Sequence, residues 1–243
     1  FTKYMGVYLT AEMQKLGEEH RLFPLLMEQL PQVDFFVQNF SPAVTNWLPF
    51  YWAGYRQMTR YTYVLPDLND LELVFANIHP EYRRIIKKAE KELQLRSDLS
   101  LDNFFQVQKM TFDRQGLAMP FSFEQLKTLD FALAANQARR LLFACDAEDN
   151  IHAVVYLVWD KKRCYFHHAG ENPAFRKSGS NQMLVWQAIQ FASKDLGLKV
   201  FDFEGSMIKN VEFTRRRFGA IQQPYFTIWK NNAWWAKALN LRG

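Results

Sequence analysis

With only two cysteines in 243 residues, Cys145 and Cys164, the sequence has no disulfide framework. They stand apart without CxxC spacing, which excludes a thiolate zinc site and fits a reducing compartment. Each lies in a strand-like apolar run, so both are expected to be buried structural thiols rather than nucleophiles. No apolar run approaches the roughly 18 residues that a spanning helix needs, so no stable membrane insertion is expected. The N-terminus also lacks the basic start and apolar stretch of a signal peptide, and together these absences predict a cytoplasmic protein. The sequence opens on Phe rather than Met, which predicts that the natural chain begins earlier. No metal-ligand spacing is found, so no metal is expected. The excess of positive charge is small, +5 overall, and no DNA partner is expected from it. It favours anionic ligands such as phosphates and is equally well explained by a solvated surface.

What the chain has in quantity is apolar and aromatic material. A hydrophobic fraction of 49%, with 22 Phe, 10 Tyr and 7 Trp, excludes disorder and predicts one large core or two modest ones. NDLELVFANIHPEYRRIIKKAEKE (69–92) reads as helical with a break at Pro80, and 93–97 as a short strand. Ser100 or Asp102 can cap a helix running to about Gln115. Ser122 opens another, with Leu126, Leu129 and Leu133 at helical spacing. RRLLFACDAEDNIHAVVYLVWDKKRCYFHHAG then holds three apolar runs, divided at Glu148-Asp149-Asn150 and at Asp160-Lys161-Lys162, which is an antiparallel meander. A helix from about Asn181 to Leu196 stops at Gly197. KVFDFEGS is a strand, VEFTRRRFG a short helix and QPYFTIWK a last strand. The order is β-α-α-β-β-β-α-β-α-β, an α/β protein with a mixed sheet.

The first 75 residues contain an echo of this ending. With FFVQNFS (35–41) placed beneath VFDFEGS (200–206), and no gap, Gly54 falls under Gly219 and RYTYVL (60–65) under the strand from Tyr225. Ser41 meets Ser206 and Thr62 meets Thr227. One constant offset suggests the back half of a duplicated unit whose front half lies outside this sequence.

The segment FRKSGSNQ (175–182) joins a strand to a helix through a basic, glycine-containing turn. The N–H groups of a first helical turn point outward and the helix dipole favours negative charge there. Arg176, Lys177, Ser178, Gly179, Ser180 and Asn181 are therefore the candidate anion-binding residues. Gly179 would let the backbone approach a ligand. An ordinary solvated loop capped by Ser180 or Asn181 has the same composition.

The element order, with Arg-x-x-Gly-x-Asn (176–181) between the fourth strand and its helix, resembles the GNAT acyltransferase fold. In that family the matching turn reads Arg/Gln-x-x-Gly-x-Gly/Ala and cradles the pyrophosphate of coenzyme A; Asn181 departs from the small residue usual there. TRYTYVLPDL, RRIIKKAEKELQL, the meander, FDFEGS and RRRFGA together resemble the Fem-type aminoacyltransferases and their acetyltransferase-like relatives, which carry two GNAT-like lobes in tandem. The resemblance implies a partial N-terminal GNAT-like lobe at 1–78, a complete domain at 79–230 and a tail at 231–243. It implies acyl transfer from acetyl-CoA or another acyl-CoA to a small-molecule or peptide amine. The alternatives are Fem-type transfer of an amino acid from aminoacyl-tRNA to a peptidoglycan precursor, and a catalytically inactive binding module.

In GNAT proteins the strand after the pyrophosphate helix splays from its neighbour and leaves a slot for the acyl arm. Here those strands are CYFHHAGE (164–171) and VFDFEGS. Asp202 and Glu204, two apart, are expected on one sheet face. Glu204 is the first candidate for general base or amine-binding group and Asp202 the second. Both could instead pair with basic neighbours such as Arg215, Arg216 and Arg217. His167 and His168 are adjacent on a strand and are expected to face opposite ways, with His168 a further candidate base near the slot. Many GNAT enzymes place a tyrosine four residues before the last glycine as general acid; here that position is Arg215, which stays protonated and can only stabilise negative charge. Ser206 and Arg215 are candidate substrate-binding residues. The helix from Arg83 to Arg96 reads as a solvated amphipathic helix with a core face of Ile85, Ile86 and Ala89, or as a contact for tRNA or a nucleotide-linked substrate.

Overall fold

A computed structural model describes Tyr4, residues 6–205 and residues 207–239, the side chain of Ala238 excepted. In chain order the elements are α1 (Leu16–Glu28), β1 (Phe35–Asn39), α2 (Leu48–Trp52), β2 (Arg56–Leu65), α3 (Leu71–Asn77), α4 (Pro80–Glu92), β3 (Gln94–Arg96), α5 (Leu101–Arg114) and α6 (Phe123–Ala135). There follow β4 (Arg139–Cys145), β5 (Ile151–Trp159), β6 (Arg163–Glu171), α7 (Ser180–Lys194), β7 (Val200–Asp202), α8 (Lys209–Arg217), β8 (Ile221–Asn231) and α9 (Trp234–Ala238). From β3 onward this is the order expected from hydrophobic periodicity, in a mixed α/β architecture. Among the described residues no helix is long and apolar enough to cross a membrane.

Local chemistry sets the boundaries. Pro80 breaks the 69–92 run, and His79 Nδ1 accepts the Glu81 N–H at the start of α4. Ser100 and Ser122 each close a reciprocal capping box, with Asn103 and Gln125 respectively. Gly197 has φ +63° just beyond α7. Strand β7 is shorter than expected. It ends at Asp202, whose Oδ1 accepts the Glu204 N–H at 2.9 Å and turns the chain out of the strand.

The chain divides into two compact units, one formed by residues up to Thr62 with Gly205, Met207 and 222 onward, the other by 63–204 and 208–221. In the first unit the strand order is β1-β8-β2, over a core of Phe23, Phe40, Phe50, Tyr55 and Ile228. In the second it is β2-β7-β6-β5-β4-β3, with β2 contributing only from Tyr63. Strict alternation along β4 and β5 fills two layers there. Leu142, Ala144, Val155 and Leu157 pack with Ile86 and Ala89 of α4 and with Leu184 and Ile189 of α7. Leu141, Phe143, Val154 and Tyr156 pack with Phe104 of α5 and Leu126 of α6. Cys145 and Cys164 are fully buried, one in each layer, and burial pushes both thiols up, as structural thiols require.

The sequence echo has a structural counterpart. Phe36 pairs with Lys230 and Val37 with Trp229. Leu65 pairs with Phe201 and Val64 with Asp202, also antiparallel. The offset that carries Phe36 to Phe201 also carries Leu65 to Lys230, so one register is the other with the strand roles exchanged. Gly54 and Gly219, just past α2 and α8, both have positive φ, +84° and +78°, a conformation open to glycine without strain. Each repeat's opening strand pairs with the closing strand of the other, which is why the units interleave along the chain.

Candidate active site

In the second unit the parallel pairing of β6 and β7 ends early. Register between β6 and β7 runs from Arg163↔Val200 to Tyr165↔Asp202 and then stops, while β6 continues to Glu171. A cavity of about 410 Å³ opens beside the unpaired part of β6. Phe166 and Glu171 of β6, Asn181 and Gln182 of α7, Arg114 of α5 and Arg215 of α8 stand in its wall, together with Tyr82 and Arg176.

Helix α7 starts at the cavity. The Ser180 N–H donates to Ser178 Oγ at 3.3 Å, and Met183 is the first residue whose N–H reaches back, to the Gly179 carbonyl at 3.0 Å. The N–H groups of Asn181 and Gln182 have no intrahelical acceptor, and both residues line the cavity. Arg176 and Lys177 are exposed, and Ser180 is fully buried with no partner for its Oγ among the described residues. Gly179 has a different role from the one expected. Its φ is +79°, and a Cβ there would lie 2.5 Å from Ile85 Cγ2 and 3.4 Å from Ala89 Cβ. The glycine lets α4 pack against the turn. A bulky side chain at 179 would therefore disturb the fold.

Charge in the cavity is mostly positive. Arg114, Arg176 and Arg215 line it against one carboxylate, Glu171. Burial pushes the Glu171 carboxyl above its ordinary range, with Arg176, at 3.4 Å, Arg114 and the Asn181 side chain opposing. Arg215 lays its guanidinium over Phe166 at 4.7 Å and Phe203 at 5.1 Å, and its buried Nε has no hydrogen-bond partner among the described residues. Burial lowers its pKa to about 10, with Glu204 and Tyr82 pulling upward, so it stays a cation at neutral pH.

The carboxylate pairing differs from the sequence expectation. Asp202 is fully buried and pairs with Arg163 at 2.9 Å, while its other oxygen holds the Glu204 N–H. Glu204 has φ +51°, so strand alternation does not extend to it, and it accepts a hydrogen bond from His167 Nδ1 at 2.8 Å. Neither carboxylate takes Arg216 or Arg217, which pair with Glu212 and Glu81. The two histidines do not face opposite ways either. The β5–β6 register slips between Tyr156 and Leu157, and this bulge brings the His167 and His168 rings to 4.2 Å. His168 packs on Phe121 at 5.0 Å; burial first, and His167 second, lower its pKa to about 3, so it is neutral at physiological pH. Neither His168 nor Glu204 is in the cavity wall. Ser206 lies outside the described residues. Sequence reasoning missed Tyr82, Arg114 and Glu171, which come from three separate elements; the position of Glu171 at the end of β6, just ahead of the basic turn, was the one available signal.

A family model described as acetyltransferase (GNAT) domain matches residues 78–213. No curated protein sequence matches the chain. Among solved structures, one described as FemX superposes with a TM-score of 0.72 at 10% identity, covering 88% of this chain and 77% of that one. The C-terminal domain of a putative lysylphosphatidylglycerol synthetase from Agrobacterium fabrum has a TM-score of 0.60 at 15% identity, covering 84% and 70%. L-PGS from Bacillus licheniformis has a TM-score of 0.58 at 12% identity, covering 90% and 74%. At these identities the likeness is one of fold.

Proposed function

The chain belongs to the acetyltransferase (GNAT) domain family, and from that premise we propose that it transfers an acyl group from an acyl-CoA, such as acetyl-CoA, to the amine of a small molecule or peptide. The observation that carries the reading is the coincidence of two features: strand pairing that ends at Tyr165 and Asp202 while β6 runs on, and a cation-lined cavity beside that unpaired part of β6 with the first turn of α7 in its wall. The donor's diphosphate would be held by the Asn181 and Gln182 amides with Arg176 and Arg114. This assignment keeps Arg176 and Asn181 in the anion site and leaves Gly179 to packing. One carboxylate, Glu171, opposes an anion there, and three arginines outweigh it.

In the transfer, the acceptor nitrogen attacks the acyl carbon, the N–C bond forms, and the C–S bond breaks. The amine proton goes through a bridging water to Glu204, which stands outside the cavity wall, is held by His167 and acts on Arg215 of that wall; negative charge on the departing sulfur is stabilised by Arg215. With Arg215 kept charged as the partner of the sulfur, the thiolate is protonated by the Tyr82 phenol, which lines the cavity, or by water. Asp202, with both oxygens engaged, serves as a structural anchor for the start of that turn.

A second reading is transfer of an amino acid from aminoacyl-tRNA, where the leaving group is an alkoxide; the arginine in the usual tyrosine position favours it. Thermal-shift titration separates the two. Stabilisation by acetyl-CoA and desulfo-CoA supports the first, and stabilisation by charged tRNA alone supports the second. No response to any of the three points to an inactive binding module.

A further inference from the structure

The second unit has another groove, of about 600 Å³, between α3 and the outward face of α4. Arg83, Arg84, Lys87, Lys88 and Lys91 line it, with Phe75 from α3. Helical spacing sets Arg83, Lys87 and Lys91 in one row and Arg84 and Lys88 in a second, over about 12 Å of helix. The opposite face of α4 carries the buried Ile86 and Ala89, so this cationic face cannot turn inward. Among the described residues only Lys88 of the five has a carboxylate within ion-pair distance, Glu92 at 3.7 Å. Glu81 is engaged by Arg217 at 2.7 Å and Glu90 by Gln187 at 2.9 Å. Five like charges on so short a surface repel one another, and a bound anion relieves that repulsion.

We propose that this groove binds a small, multiply phosphorylated ligand of the nucleoside polyphosphate class, at a site separate from the acyl-donor cavity and independent of the reading given for it. The volume falls in the range of about 300–1,000 Å³ typical of small-molecule sites. Arginine and lysine in two rows reach several phosphate oxygens at once, and the half-buried Phe75 ring, with Lys87 Nζ 5.7 Å from its centroid, offers an apolar floor for a base. An extended polyanion fits less well, because Glu81 and Glu92 stand at the two ends of the helix and Glu72 lines the groove.

The test is calorimetric titration of the whole chain with tripolyphosphate and with guanosine triphosphate, repeated on Lys87→Ala/Lys91→Ala and on Arg176→Glu. The expected result is saturable one-site binding, tighter for the nucleotide, weakened about tenfold or more in the double variant and unchanged in Arg176→Glu. Absence of saturable binding, or equal affinity in the double variant, overturns the proposal. So does affinity that appears only with long RNA oligomers or with anionic phosphatidylglycerol vesicles.

Discussion

His167 donates from Nδ1 to Glu204 Oε1 across 2.8 Å, joining the bulged middle of β6 to the first turn beyond β7. Both side chains are largely buried, at 8% and 13% exposure, so the pair is shielded from competing water. Glu204 holds a left-handed conformation that costs a non-glycine residue about 1 kcal/mol or more. Such strain persists only where the surroundings enforce it, and here Asp202 and His167 do so. Glu204→Gln is expected to lower kcat about 100-fold, the range of general-base loss, with little change in the affinity for acyl-CoA. Steady-state kinetics beside a binding titration measures both quantities.

Asp202→Asn should behave differently. It leaves Arg163 without its carboxylate partner in a largely dry place, and a loss of about 3 kcal/mol of stability is expected by urea unfolding. Activity per folded molecule should fall far less than in Glu204→Gln. The reverse pattern would move the catalytic role from Glu204 to Asp202.

Gly179→Ala places a methyl group 2.5 Å from Ile85 Cγ2 at a backbone angle that alanine rarely adopts. A destabilisation of about 2 kcal/mol is expected. Adding Ile85→Ala should recover part of it by removing the colliding group, beyond the sum of the single effects. Strict additivity would mean that the two residues do not meet.

Glu171 sets a pH dependence. Its folded pKa is raised, so stability is fully present at low pH and declines as pH rises through that folded value and the buried carboxyl ionises. Glu171→Gln is expected to flatten this decline in thermal melts at a series of pH values. It should also tighten acyl-CoA binding at pH 8, because it removes the one carboxylate among the cavity's arginines.

The order of elements was legible because each depends on neighbours a few residues away. Ser100 and Ser122 with their third-following partners, the Pro80 break and the Gly197 stop are all local signals. The echo between the two endings was legible too, since Gly54 and Gly219 stand at matching positions and both have positive φ. Other features depend on residues far apart in the chain. Asp202 meets Arg163 and Glu204 meets His167 across the β6–β7 pair, so neither partner could be inferred from spacing. The histidine orientation failed because a one-residue bulge reverses strand alternation and leaves no sign in composition. The packing of Gly179 against Ile85 was not legible for a similar reason, because Ile85 lies on a different helix.

The proposed activity requires the first turn of α7, with Arg176 and Arg114, to hold the donor's diphosphate. Titration calorimetry with acetyl-CoA on the unaltered chain and on Arg176→Glu tests this most directly, since Arg176 is exposed and its replacement should leave the fold intact. The expected result is saturable binding to the unaltered chain, weakened about tenfold or more by the charge reversal. Binding of equal strength in both proteins, or none in either, would contradict it.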